Sequence, residues 1–108
     1  MRVMLKSKLY GLRVTDADSR CDGSITLDPK WMHEADILEY EQVHVLDVTN
    51  GKRFVTYAIK GDEKEVCVNG AASLLVEIDD EIIVLSYAVV NGSPAYGTFS
   101  PPKKIKCG

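Results

Sequence analysis

The run Gln42-Val43-His44-Val45-Leu46-Asp47-Val48-Thr49-Asn50-Gly51-Lys52-Arg53-Phe54-Val55-Thr56-Tyr57-Ala58-Ile59 decides the fold class. Its first half is β-branched and apolar, with Val43 and Val45 on one parity and His44, Leu46 and Val48 on the other, which reads as a strand buried on both faces. Asn50-Gly51 is the strongest short signal for a two-residue hairpin turn. The second half then returns as a strand. Period-2 alternation puts Arg53, Val55, Tyr57 and Ile59 on one face and Phe54, Thr56 and Ala58 on the other. A hairpin of this kind, rather than a strand followed by a crossover helix, points to an all-β protein.

Outward from the hairpin the same grammar repeats. Val3 to Thr15 alternates loosely and reads as one or two strands broken near Gly11. Thr15-Asp16-Ala17-Asp18-Ser19 is rich in turn formers, and Ser24 to Leu27 is a short strand. Asp28-Pro29 pairs an N-cap aspartate with a proline at the first helical position, predicting a helix of about two turns through Trp31, Met32 and Ala35. Glu65 to Val68 reads as a strand, Ala71 to Val76 as a single helical turn, and Glu81 to Val90 as the most hydrophobic strand. Residues 91–108, punctuated by Gly92, Pro94, Pro101 and Pro102, read as an irregular tail, with Lys103, Lys104 and Lys106 as a solvated basic terminus. Short strands at intervals of roughly 8 to 12 residues, with only two brief helical turns, define one all-β domain over 1–108 closed as a small barrel.

The chain has 108 residues, 45% of them hydrophobic and 27% charged, enough for a real core. A net charge of −3 gives no basic field for nucleic acid. Cys21, Cys67 and Cys107 are odd in number and widely spaced, which suggests neither a disulfide framework nor a zinc site. Charges at Arg2, Lys6 and Lys8 interrupt the N-terminal apolar run, so no signal peptide or membrane span is expected, and the compartment expected is the cytoplasm. His33 and His44 have no evident partners; His44 fits a core or edge position.

The residues with chemical potential are Lys8, Ser24, Arg53, Thr56, Tyr57 and Asn69. Gly23-Ser24 stands out from Gly92-Ser93. The latter sits between Asn91 and Pro94 as a plain turn, whereas Gly23-Ser24 leads into a strand and can bring a hydroxyl onto the preceding carbonyl.

Four segments together are specific: Met4-Leu5-Lys6-Ser7-Lys8-Leu9, Asp22-Gly23-Ser24-Ile25-Thr26-Leu27-Asp28, Asn50 through Ile59, and Val68-Asn69-Gly70-Ala71-Ala72. In this order they resemble the pyruvoyl-dependent aspartate 1-decarboxylase family, with similarity running from about Met1 to Val90. The resemblance implies a six-stranded double-psi β-barrel assembled as a homotetramer with active sites between subunits. It also implies a chain that cuts itself between Gly23 and Ser24, into a 1–23 β chain and a 24–108 α chain. Ser24 would become a covalently bound pyruvoyl group, so no metal and no pyridoxal phosphate would be needed. That ketone would take the amine of a small acidic amino acid as a Schiff base and turn L-aspartate into β-alanine and carbon dioxide, for pantothenate and coenzyme A synthesis.

By the same resemblance Tyr57 would reprotonate the substrate carbon, and Thr56 would hydrogen-bond the processing intermediate or cofactor carbonyl. Arg53 and Lys8 would hold the two carboxylates, and Asn69, Gly70, Ala71 and Ala72 would complete the pocket. Parity places Thr56 on the opposite strand face from Arg53 and Tyr57. Tyr10, Cys21 and Asp79 stand where the family usually has histidine, tyrosine and glycine, and the loop at Gly61 to Lys64 is shorter. Two other readings remain beside L-aspartate decarboxylation: the same mechanism on another acidic or modified amino acid, and an unprocessed barrel acting as a binding or assembly partner.

Overall fold

The computed structural model describes residues 1–20, 23–91 and 100–108. Cys21, Asp22, and the punctuation at Gly92 and Pro94 lie outside the described residues. The elements in chain order are β1 (Arg2–Arg13), β2 (Asp16–Asp18), β3 (Ile25–Leu27), α1 (Pro29–Glu34), β4 (Gln42–Asp47), β5 (Arg53–Lys60), β6 (Val66–Asn69), a 3-10 turn (Gly70–Leu75), β7 (Glu81–Val90) and β8 (Lys103–Lys106).

The strands form one sheet in the order β2-β6-β3-β5-β4-β7-β1-β8. Most neighbours are antiparallel, with parallel pairings of β2 with β6, β3 with β5, and β1 with β8. β1 runs on through Val14 and Thr15 into β2, so the chain itself joins β2, at one end of the order, to β1, next to the edge strand β8 at the other. That corner is bonded on both sides: Val14 N–H donates to Asp80 O (3.0 Å) and Thr15 N–H to Val66 O (2.8 Å). With β1 and β2 taken as one bent strand, six strands make the small double-psi barrel and β8 lies along its outside.

Alternation fills the interior. Leu9 and Leu12 of β1, Ile25 and Leu27 of β3, Val43 and Val45 of β4, and Ile82 and Val84 of β7 are all excluded from solvent. Each such side chain contributes roughly 1.5–3 kcal/mol relative to remaining exposed, which is what fixes the strand registers. α1 starts as its sequence predicts. Asp28 accepts the Lys30 N–H at 2.8 Å, Pro29 occupies the first turn, and Met32 plugs the core. The other Asp28 oxygen accepts the Lys64 N–H, tying the helix start to the turn before β6.

Four local expectations are corrected. The irregular tail fails at Lys103–Lys106, which form β8 in parallel register with Ser7 to Tyr10. The edge of β1 presents unpaired backbone groups, and pairing with them orders a segment whose side chains carry no periodic signal. Asp16–Asp18, read as turn residues, form a short strand because the bend at Val14-Thr15 lays them beside Cys67 to Asn69. The break near Gly11 is a register shift within one continuous strand. Gly11 has φ +76°, and a Cβ there would meet Cys107 O at 2.8 Å. The hairpin turn is longer than two residues. Asp47 N–H donates to Lys52 O and Gly51 N–H to Asp47 O. The Asp47 carboxylate accepts the N–H groups of Thr49 and Asn50, and Asn50 lacks the positive φ that the two-residue turn demands.

β4 is fully buried on its inner face and half-buried on the outer, where His44 packs edge-on against Tyr87 with ring centroids 4.8 Å apart. Burial, then the nearby charges of Glu34 and Asp28, push the Cys107 thiol up to about 12. Among the described residues no helix is long and apolar enough to cross a membrane.

Candidate active site

Gly23 and Ser24 enter β3, which lies between β5 in parallel and β6 in antiparallel register. The pairing of Ile25 with Ala58 carries Gly23 to the level of Thr56. The Thr56 hydroxyl donates to the Gly23 carbonyl oxygen at 3.0 Å. On the other side, the pairing of Ile25 with Val68 carries Ser24 to the level of Asn69. Asn69 N–H donates to Ser24 O at 2.8 Å, and the Asn69 side-chain amide donates to Ser24 Oγ at 3.3 Å and to Thr26 Oγ1 at 3.0 Å. One peptide group thus has a hydroxyl donor on its carbonyl oxygen and an amide donor on the hydroxyl that follows it.

Asn69 is held at a sharp corner. Gly70 takes φ +66°, which turns the chain from β6 into the Gly70–Leu75 turn, and the Ser73 hydroxyl closes back on Gly70 O at 2.7 Å. Ala71 is exposed and Ala72 half-buried on that turn. Ser24 and Asn69 are buried, so water competes little for their bonds.

The parity conflict at Thr56 resolves in this geometry. Its face of β5 is the one that meets Gly23, while Tyr57 points to the other face with its ring 6.4 Å from that of Tyr40. Both nonetheless line one shallow depression with Tyr40, Gln42 and Val55. Arg53 is exposed at the far end of β5, beside Leu46 of β4. Lys8 lies on β1, its Nζ 5.9 Å from the Tyr10 ring centroid. Among the described residues no hydrogen bond links Lys8, Arg53 or Tyr57 to Gly23 or Ser24. Hydrogen bonds and strand register therefore gather Gly23, Ser24, Thr56, Asn69 and Gly70, while Lys8 is seen beside Tyr10, Arg53 beside Leu46 and Tyr57 beside Tyr40.

Two contributors escaped the sequence reading. Thr26 shares the Asn69 amide, and Cys67 donates its thiol hydrogen to Asn69 Oδ1 at 3.0 Å. The signal was present: two-residue spacing on one strand puts Cys67 and Asn69 on the same face. Among the described residues no group of three or more His, Cys, Asp or Glu side chains is placed to hold a metal ion.

The site thus belongs to a small double-psi barrel whose Gly23-Ser24 peptide, at a strand entrance, has a donor on its carbonyl oxygen and another on the hydroxyl that follows. The sequence pattern of the aspartate decarboxylase family matches residues 1–103. The chain is 45% identical over 107 residues to the aspartate 1-decarboxylase of Kosmotoga olearia, covering 97% of this chain and 90% of that protein. It is 47% identical over 98 residues to that of Syntrophus aciditrophicus, covering 89% and 84%. To that of Campylobacter fetus it is 48% identical over 99 residues, covering 91% and 85%. The chain belongs to the aspartate decarboxylase family.

Proposed function

We propose that this chain is a self-processing decarboxylase that converts L-aspartate to β-alanine and carbon dioxide, with a pyruvoyl group made from its own Ser24. The observation that carries the reading is the bracketing of one peptide, by the Thr56 hydroxyl on Gly23 O and the Asn69 amide on Ser24 Oγ. A donor on a carbonyl oxygen stabilises the charge that develops there under attack.

In the processing step Ser24 Oγ bonds to the Gly23 carbonyl carbon, the carbon–nitrogen bond breaks, and the hydroxyl proton ends on the Ser24 nitrogen. Loss of the Ser24 α-proton then expels the Gly23 carboxylate from Cβ and cuts the chain. Water replaces the nitrogen of the resulting dehydroalanine, releasing ammonia. The residues present fit such a group, since Thr56 and Asn69 offer it neutral hydrogen-bond donors. When formed, the pyruvoyl ketone supplies a carbonyl for the substrate amine and a sink for the electrons left by departing carbon dioxide.

Around that centre Arg53 grips one substrate carboxylate by its planar fork and Lys8 adds a point charge for the other. Tyr57 returns a proton to the substrate carbon, and Asn69 with the backbone of Gly70, Ala71 and Ala72 closes the pocket. As the family resemblance implies, the reading includes a homotetramer in which neighbours share each site. The exposed apolar residues Val3, Tyr40, Val55 and Val89 support an assembled state. The reading places the enzyme in the cytoplasm.

Denaturing mass spectrometry tests it. The purified protein yields a 23-residue fragment and an 85-residue fragment whose N-terminus is a ketone that reacts with hydroxylamine. Ser24→Ala stays intact and inactive. A wild-type chain that remains uncut after prolonged warming sinks the reading, and carbon dioxide release from glutamate but not aspartate moves it to another acid.

A further inference from the structure

Ser24, Thr26, Cys67 and Asn69 form a polar quartet on one face of the β3–β6 ladder. The registers place Thr26 opposite Cys67, and the two-residue period adds Ser24 and Asn69 to the same side. The inner face of the same ladder is apolar, carried by Ile25, Leu27, Val66 and Val68.

At the centre of the quartet the Asn69 amide has two chemically opposite ends of nearly equal size. Its orientation decides what Ser24 meets. With the nitrogen toward Ser24, Oγ receives a hydrogen bond, which stabilises the oxygen as its proton leaves and it bonds to the Gly23 carbon. With the amide turned over, Oδ1 accepts the Ser24 O–H and holds that proton in place. Thr26 does not choose between the two, because a hydroxyl serves equally as donor or acceptor. Cys67 does choose. A thiol donates more readily than it accepts from an amide N–H, and its Sγ stands 3.0 Å from Asn69 Oδ1. Cys67, Asn69 and Ser24 are 7%, 9% and 5% exposed, so solvent offers little substitute for the bond.

We propose that Cys67 is a positioning residue for self-cleavage, its thiol fixing the Asn69 amide with the N–H groups toward Ser24 Oγ. The role rests on the self-processing reading above. Cys67 neither gains nor loses a proton or an electron, and every bond made or broken belongs to Gly23 and Ser24.

The test follows the appearance of the 85-residue fragment in the full chain for wild type, two single variants and two double variants. Cys67→Ser keeps a donor and cleaves within about twofold of wild type, whereas Cys67→Val keeps bulk without a donor and cleaves about fivefold more slowly, the cost of one modest hydrogen bond. In an Asn69→Ala background the serine and valine variants cleave at the same rate, because the amide that reports the difference is gone. Thermal unfolding shows each variant folded; should Cys67→Val not fold, Cys67→Ala against Cys67→Ser carries the same contrast. Equal rates for valine and wild type, or a serine variant as slow as valine, overturn the role of Cys67 alone. A wild-type chain that never cleaves overturns the self-processing reading and this role with it.

Discussion

Thr56 and Gly23, 33 residues apart in sequence, are joined by a 3.0 Å hydrogen bond from the threonine hydroxyl to the glycine carbonyl. The bond exists because β3 and β5 run parallel with Ile25 level with Ala58.

Removing that donor tests what it does. Thr56→Ala leaves the Gly23 carbonyl oxygen without its side-chain partner, and cleavage slows on the order of a hundredfold, as for loss of one donor at a developing oxyanion. Thr56→Ser restores most of the rate. Fragment appearance over time measures both, and an alanine variant that cleaves at the wild-type rate rules the donor out.

The junction of β1 with the C-terminal strand yields a stability prediction. Gly11→Ala places a side chain at φ +76° and drives its Cβ to 2.8 Å from Cys107 O. The expected loss is about 1–3 kcal/mol, lowering Tm by roughly 5–15 °C. The Cys107 N–H, which donates to Tyr10 O at 2.8 Å, exchanges faster with solvent deuterium in the variant. An unchanged Tm would falsify the close approach.

Asp47 and Asp80 meet at the base of the β4–β5 turn. Burial, then the neighbouring Asp80 carboxyl, raises Asp47 above its ordinary 3.8, while the neighbouring Asp47 carboxyl, then the Glu77 N–H, lowers Asp80 below the same value. The Asp47 contribution to stability is present at low pH and lost as pH rises through its raised folded value. The Asp80 contribution is present above 3.8 and lost as pH falls through its lowered one. The pair is thus most favourable between the lowered Asp80 value and the raised Asp47 value, where a proton on Asp47 faces an ionised Asp80. Asp47→Asn keeps an oxygen for the Thr49 and Asn50 N–H groups and gives Asp80 a permanent donor. Its Tm at pH 7 equals or exceeds that of wild type, and the decline from pH 4 to pH 7 flattens. A lower Tm at pH 7 with the decline intact contradicts a proton held on Asp47.

Legibility from sequence followed the strength of the side-chain pattern. Glu81–Val90 and Arg53–Lys60 were readable because long alternating runs must bury one face, and α1 because Asp28-Pro29 sets both its cap and its first turn. β2 and β8 were not, since Asp16–Asp18 and Lys103–Lys106 become strands only through the backbone of a neighbour distant in sequence. Within the site, Gly23, Ser24, Thr56 and Asn69 converge from segments that the sequence had singled out separately. Cys67 was weighed only for disulfides and zinc, so a thiol acting as a hydrogen-bond donor went unread. Lys8 and Arg53 sit on separate strands, β1 and β5, and were named by resemblance, because no local pattern marks a lysine or an arginine on a strand as a carboxylate ligand.

The strand order has a consequence for a chain cut between Gly23 and Ser24. The short piece carries β1, hydrogen-bonded to β7 on one edge and β8 on the other, together with β2 laid against β6. Leu9, Leu12 and Val14 anchor it in the shared core. A nick there would therefore sever the covalent thread without freeing either piece, and the cut protein would be a complementation complex whose halves part only when the barrel unfolds.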